Sequence, residues 1–139
     1  MAIVVDASLT IRTLRPSTSS AHAWFSDPDR ATARIMAPDL WVSETVSAVR
    51  RMVFARQLTP SEGVRALDAL FALGIETVPL TISLCRSALE WAARLGQARA
   101  YDSIYLALAE HLHAEFWTAD RRLANRAQQC GATWVHLAE

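Results

Sequence analysis

The sequence predicts an α/β fold with a central, mainly parallel sheet flanked by helices, and three observations predict it. Short β-branched or aromatic runs alternate with helical stretches along the whole chain. The first run, Ile3-Val4-Val5, is apolar at every position, as in a strand buried on both faces. The 139 residues are 52% hydrophobic, enough for one continuous core, and no repeat or long linker interrupts them, so residues 1–139 are expected to form a single domain.

Each element has its own signal. The strand at 3–5 ends in Asp6-Ala7-Ser8, where Asp or Ser would cap a helix. Residues 16–29 are rich in Ser, Pro and Asp and read as a mobile region with a short helix at 21–25; 17–20 is a low-complexity tract. Residues 39–56 are helical: Val42, Val46, Val49 and Val53 form one stripe, with Trp41, Thr45, Ala48 and Met52 beside it. So wide an apolar arc implies more than one packing partner. Thr59-Pro60-Ser61-Glu62 has capping-box spacing with proline at the first helical position, opening a helix through Val64, Leu67, Leu70 and Phe71 that stops at Gly74. A strand at 75–79, a helix at 82–95 stopped by Gly96 and a helix at 101–113 follow, the last with Tyr101, Ile104, Tyr105, Leu108 and Leu112 on one face. A strand at 116–118, a helix at 120–129 and a strand at 133–137 complete the alternation.

Composition excludes several chemistries. The formal net charge is zero, so no global basic field holds a nucleic acid, and any such binding needs a local patch or a metal. All 14 residues of the Lys+Arg count are arginine, which removes the phosphate-loop lysine and Schiff-base mechanisms. Cys85 and Cys130 are far apart in apolar settings and read as buried free thiols in a reducing compartment. With no basic leader before Asp6 and no apolar run of bilayer length, a cytoplasmic protein is expected. His22, His111, His113 and His136 make no zinc pattern.

Four acids remain. Asp6 and Asp120 follow expected strands, and open parallel sheets collect ligands beyond the carboxyl ends of their strands. Glu44 and Asp102 lie near helix starts. Singly, each has an ordinary explanation as an N-cap, a dipole charge or an exposed side chain. Together they resemble a cage of hard oxygen ligands for Mg²⁺ or Mn²⁺. Arg50, Arg51 and Arg56, and Arg121, Arg122 and Arg126, are the candidate phosphate contacts. A strand ending in Asp also opens haloacid-dehalogenase phosphatases and response-regulator receivers. However, Ser8 stands where the first needs an acid, and the lysine of the second is missing. Trp24 and Trp41, near residues 16–29, are candidates for a partner surface, and Trp117 and Trp134 for the core.

Ile3-Val4-Val5-Asp6-Ala7-Ser8, Ala37-Pro38 followed by Glu44 to Arg51, Tyr101-Asp102-Ser103-Ile104-Tyr105-Leu106-Ala107-Leu108-Ala109 and Thr118-Ala119-Asp120-Arg121-Arg122-Leu123 resemble the successive blocks of PIN domains. The resemblance implies a PIN-like α/β/α sandwich and a VapC-like toxin ribonuclease. Asp6, Glu44, Asp102 and Asp120 would hold Mg²⁺ or Mn²⁺, with Thr118 and Ser8 as hydroxyls beside the site. It also implies an RNA substrate, a VapB-like antitoxin seated on the 39–56 helix and residues 16–29, and a homodimer. Ser47 and Ser103 depart from the family's usual Asn and Ala, and Arg122 stands where some members carry another acid, with Asn125 as a neutral substitute. One firm metal site is therefore expected, with room for a second that forms only with substrate. A non-catalytic module of the same fold and a DNA-directed nuclease are the alternatives.

Overall fold

The computed structural model describes residues 1–16 and 20–138. Part of the expected low-complexity tract, residues 17–19, lies outside the described residues. Five parallel strands, β1 (Ala2–Val5), β2 (Arg34–Pro38), β3 (Glu76–Val78), β4 (Glu115–Thr118) and β5 (Val135–Leu137), form one sheet in the order β3-β2-β1-β4-β5. Seven α-helices surround it: α1 (Ala7–Thr10), α2 (Ser20–Ser26), α3 (Leu40–Phe54), α4 (Pro60–Phe71), α5 (Ile82–Leu95), α6 (Tyr101–His111) and α7 (Arg121–Gln129). A 3₁₀ turn, Ile11–Leu14, continues α1.

Alternation along the strands builds two cores. Val4 and Phe116 pack on one face with α5, α6 and α7, while Ile3 and Val5 pack on the other with Leu9 of α1 and Ala21 and Trp24 of α2. The α/β/α layering is thus the one expected. The helix boundaries also follow the sequence signals. The Thr59 capping box forms with Glu62, and Gly96 closes α5 at φ 69° in the left-handed region.

Three expectations need correction. β2 is a strand that periodicity missed, because Arg34-Ile35-Met36-Ala37-Pro38 has one β-branched residue and a proline, tolerated here at the strand's last position. Tyr101 is exposed, and five consecutive residues, Tyr105 to Ala109, are buried instead of one face of α6. This helix lies between α5 and strands β1, β2 and β4, so its middle is covered on both sides. On α3 the Trp41, Thr45 and Val49 side chains go inward, whereas Val42 and Val46 stay exposed.

Candidate active site

The chain leaves β1 toward β2 on one side and later returns to β4 on the other, so the carboxyl ends of β1 and β4 flank the switch point of the sheet. Asp6 directly follows β1, Thr118 ends β4, and Asp120 caps α7. Asp6 is 6% exposed. Its Oδ1 accepts from Ser8 Oγ at 2.6 Å and from the Leu9 amide at 3.1 Å, and its Oδ2 accepts from Thr118 Oγ1 at 2.5 Å. Each hydroxyl gives its one proton to Asp6 and accepts a backbone N–H in return, from Ala119 at 3.1 Å and from Asp120 at 3.0 Å. Donors alone surround the carboxylate and favour its ionised form, yet burial outweighs them and pushes its pKa up to about 6, with the charge of Asp102 adding to the rise.

Glu44, half-buried on α3, accepts from Tyr105 Oη at 2.5 Å. Burial holds its carboxyl above the ordinary range; the Tyr105 bond opposes the rise, the Asp102 charge adds to it, and Arg51 opposes it again. Asp102, the second residue of α6, accepts from Gln97 Nε2 at 3.2 Å and is raised by burial first and by Asp120 after that. Asp120 is exposed and accepts the Leu123 amide at 3.1 Å.

Asp102 is therefore the shared neighbour: its charge reaches Asp6 and Glu44, and it feels that of Asp120. Among the described residues none of the four forms a salt bridge. Nor do any three His, Cys, Asp or Glu side chains sit close enough, as placed, to hold an ion. The donor set is nonetheless suited to Mg²⁺ or Mn²⁺ in kind and charge: four carboxylates with two hydroxyls, and neither sulfur nor imidazole.

A cleft of about 960 Å³ opens beside Ser8 and Asp120 and is flanked by Arg12, Arg15, Arg51, Arg121 and Arg122. A second, of about 420 Å³, shares Asp120 and Arg122 and adds Asp102, Gln97 and Arg126. Glu44 lines a third with Arg51 and Tyr101. Carboxylates at the strand ends with guanidinium groups on the rim are an arrangement suited to a phosphodiester.

The sequence profile of the PIN domain matches residues 3–129. The chain belongs to the PIN-domain family. It is 34% identical over 134 residues to the VapC ribonuclease Mb0985 of Mycobacterium bovis and to ribonuclease VapC9 of Mycobacterium tuberculosis, covering 96% of this chain and 98% of each relative. Among solved structures it resembles VapBC2 of Rickettsia felis bound to a promoter DNA fragment, with a TM-score of 0.73, 10% identity and the whole of both chains covered. It also resembles PAE2754 of Pyrobaculum aerophilum, with a TM-score of 0.66, 21% identity, and 91% of this chain and 79% of that one covered. At such identities the structural likeness speaks to the fold.

Within this PIN domain, Asp6, Glu44, Asp102 and Asp120 come to one region, as do Ser8 and Thr118. Of the candidate phosphate contacts, Arg51, Arg121 and Arg122 line the large cleft. Arg50 does not: its guanidinium stacks over Phe54 at 5.6 Å. Arg56 lies past the end of α3 at φ 59°, beside Thr59 and Pro60. Asn125 is exposed on α7 and lines none of these clefts. Trp24 and Trp41 are buried, at 6% and 2% exposure, so neither belongs to a partner surface. Trp41 donates to Thr10 Oγ1 at 3.0 Å and meets Phe71 edge-on, which makes it a core residue. Cys85 is exposed rather than buried, because it lies on the outer side of α5. Sequence reasoning missed Arg12, Arg15, Gln97 and Tyr105. The signal for Tyr105 was present, since it stands one helical turn after Asp102 on the same face.

Proposed function

We propose that this chain is a divalent-metal-dependent endoribonuclease and the toxin of a toxin–antitoxin pair, acting in the cytoplasm through Asp6, Glu44, Asp102 and Asp120. One observation carries the reading. Burial raises the pKa of three acids that meet through the charge of Asp102, and among the described residues none of the four is held in a salt bridge, an arrangement that a divalent counter-charge would satisfy. The ribonuclease names of relatives similar over nearly the whole chain support RNA as the substrate.

Asp6, Glu44, Asp102 and Asp120 would hold Mg²⁺ or Mn²⁺, which when bound supplies an activated water and charge stabilisation at the phosphoryl oxygens. The chain's own residues do the rest. Ser8 and Thr118 lock Asp6 in orientation, so this acid is the fixed point of the site. Asp102 is the acid coupled to all the others. Arg12, Arg15, Arg51, Arg121 and Arg122 grip the phosphates flanking the scissile one, with Arg12 oriented by its bond to the Ala119 carbonyl at 3.2 Å. Among the described residues no aromatic side chain lines this cleft, so it holds the backbone of the strand rather than stacking its bases.

The partner reading is a VapB-like antitoxin, as in the solved toxin–antitoxin complexes of similar fold, together with a homodimer. Exposed Val42 and Val46 on α3 are the surface offered to an amphipathic segment. The deciding experiment is cleavage of single-stranded RNA by nuclease-free preparations. Activity should disappear in EDTA, return with Mg²⁺ and be lost in Asp102→Asn; full activity in EDTA overturns the proposal.

A further inference from the structure

Tyr105 is 2% exposed, and its ring stacks on Phe116 of β4 with centroids 5.9 Å apart and planes at 20°. Its hydroxyl crosses from α6 to α3 and gives its only proton to Glu44 Oε1 at 2.5 Å. Glu44 Oε2 makes no hydrogen bond among the described residues, so the phenol fixes one oxygen of this acid and leaves the other uncommitted. A buried hydroxyl whose single proton goes to one oxygen of an acid fixes the orientation of that acid.

We propose that Tyr105 is a positioning residue of the acid cluster, fixing Glu44 through Oε1 so that Oε2 is presented to the divalent ion. The inference rests on the metal-centre reading above. A hydroxyl that orients a ligand in this way acts on metal affinity, typically by ten- to a hundredfold. Tyr105→Phe removes one oxygen and keeps the ring on Phe116.

Calorimetric titration of the purified full chain with Mn²⁺ tests this. Tyr105→Phe should weaken the dissociation constant by about tenfold or more, and cleavage should require correspondingly more metal while kcat at saturating metal stays near the parent value. In a Glu44→Gln background the same substitution should change the constant less than twofold, because the two residues act as one unit. A purely structural tyrosine would lower the melting temperature and leave the metal constant unchanged. An independent readout uses the parent alone: the phenolic proton should give a downfield NMR resonance that shifts as Mg²⁺ is added. An unchanged Mn²⁺ constant in Tyr105→Phe, or a phenolic resonance indifferent to Mg²⁺, overturns the inference while the metal centre stands. A parent that binds no Mn²⁺ removes both.

Discussion

Replacing Asp6 with Asn should make the metal-free protein more stable at neutral pH and flatten its response to acid between pH 5 and pH 7. Burial pushes the Asp6 pKa from 3.8 to about 6, and among the described residues no cationic side chain offsets the charge. A raised carboxyl pKa means that the folded chain binds a proton the unfolded chain does not, across the window between those two values. Stability therefore rises as pH falls through about 6, and the full cost is felt above it. At 1.36 kcal/mol per unit the cost is about 3 kcal/mol, of which about 1 kcal/mol is recovered between pH 7 and pH 5. Glu44 and Asp102, also raised, act in the same direction. Glu62 and Glu76 are lowered and act in the opposite direction, but only at more acid pH, and comparison with the variant cancels them.

Asparagine fits the position. Its oxygen can accept from the Leu9 amide and Ser8, while its NH₂ meets Thr118 Oγ1, whose displaced proton can turn to Ser8 Oγ 3.1 Å away. Thermal melts in EDTA at pH 5, 6 and 7 are the assay. The parent should gain roughly 3 °C relative to Asp6→Asn between pH 7 and pH 5. Magnesium at a hundred times its dissociation constant should stabilise the parent by about 2.7 kcal/mol at neutral pH and the variant far less. Parallel melting curves for the two proteins across this pH range would refute the reasoning.

Gly63→Ala should destabilise by about 1 to 3 kcal/mol, because its Cβ would lie 2.6 Å from Val53 Cγ2 where α4 crosses α3; urea denaturation should show Val53→Ala restoring most of the loss. Arg15→Gln should weaken single-stranded RNA binding evenly across sequences and reduce the salt slope by about 0.7, read by anisotropy titration in EDTA; an unchanged slope takes Arg15 off the strand's path. Val46→Asp, on an exposed position of α3, should leave the melting temperature within about 1 °C, since exposed substitutions cost little, and weaken capture of the proposed antitoxin at least tenfold. Equal capture would place the antitoxin on another face.

Much of the fold was legible because its signals are local. The Thr59 cap, the Gly96 stop and the apolar run of β1 depend on neighbours in sequence, and each gave the element observed. β2 was not legible, since Arg34 to Pro38 become a strand through pairing with β1 and β3 rather than through their own preferences. Trp41 was misplaced for a related reason. Both stripes of α3 are apolar, and the positions of α1 and α4 decide which one is covered. The candidate acids were readable as strand-end and helix-start residues, whereas Arg12 acts on a group 107 residues away and leaves no local mark.

Asp6 and Asp120 are both N-caps, so the ordinary explanation of each is correct, and the question is whether it suffices. Asp120 is exposed, and a single accepted amide accounts for it. Asp6 is different: it caps a helix of four residues while its other oxygen is held by Thr118 from β4. A cap contributes about 1 kcal/mol, and Asn or Ser supplies it as well as Asp does. The buried charge costs about 3 kcal/mol at neutral pH, so capping alone leaves it unexplained. Ser8 and Thr118 increase the puzzle by directing donors at both oxygens, which keeps the side chain in one orientation and favours the form that burial penalises. A carboxylate held rigid and ionised beside Asp102, with no cationic side chain paired to it among the described residues, is what the proposed divalent cation would account for. The cap then serves mainly to aim it.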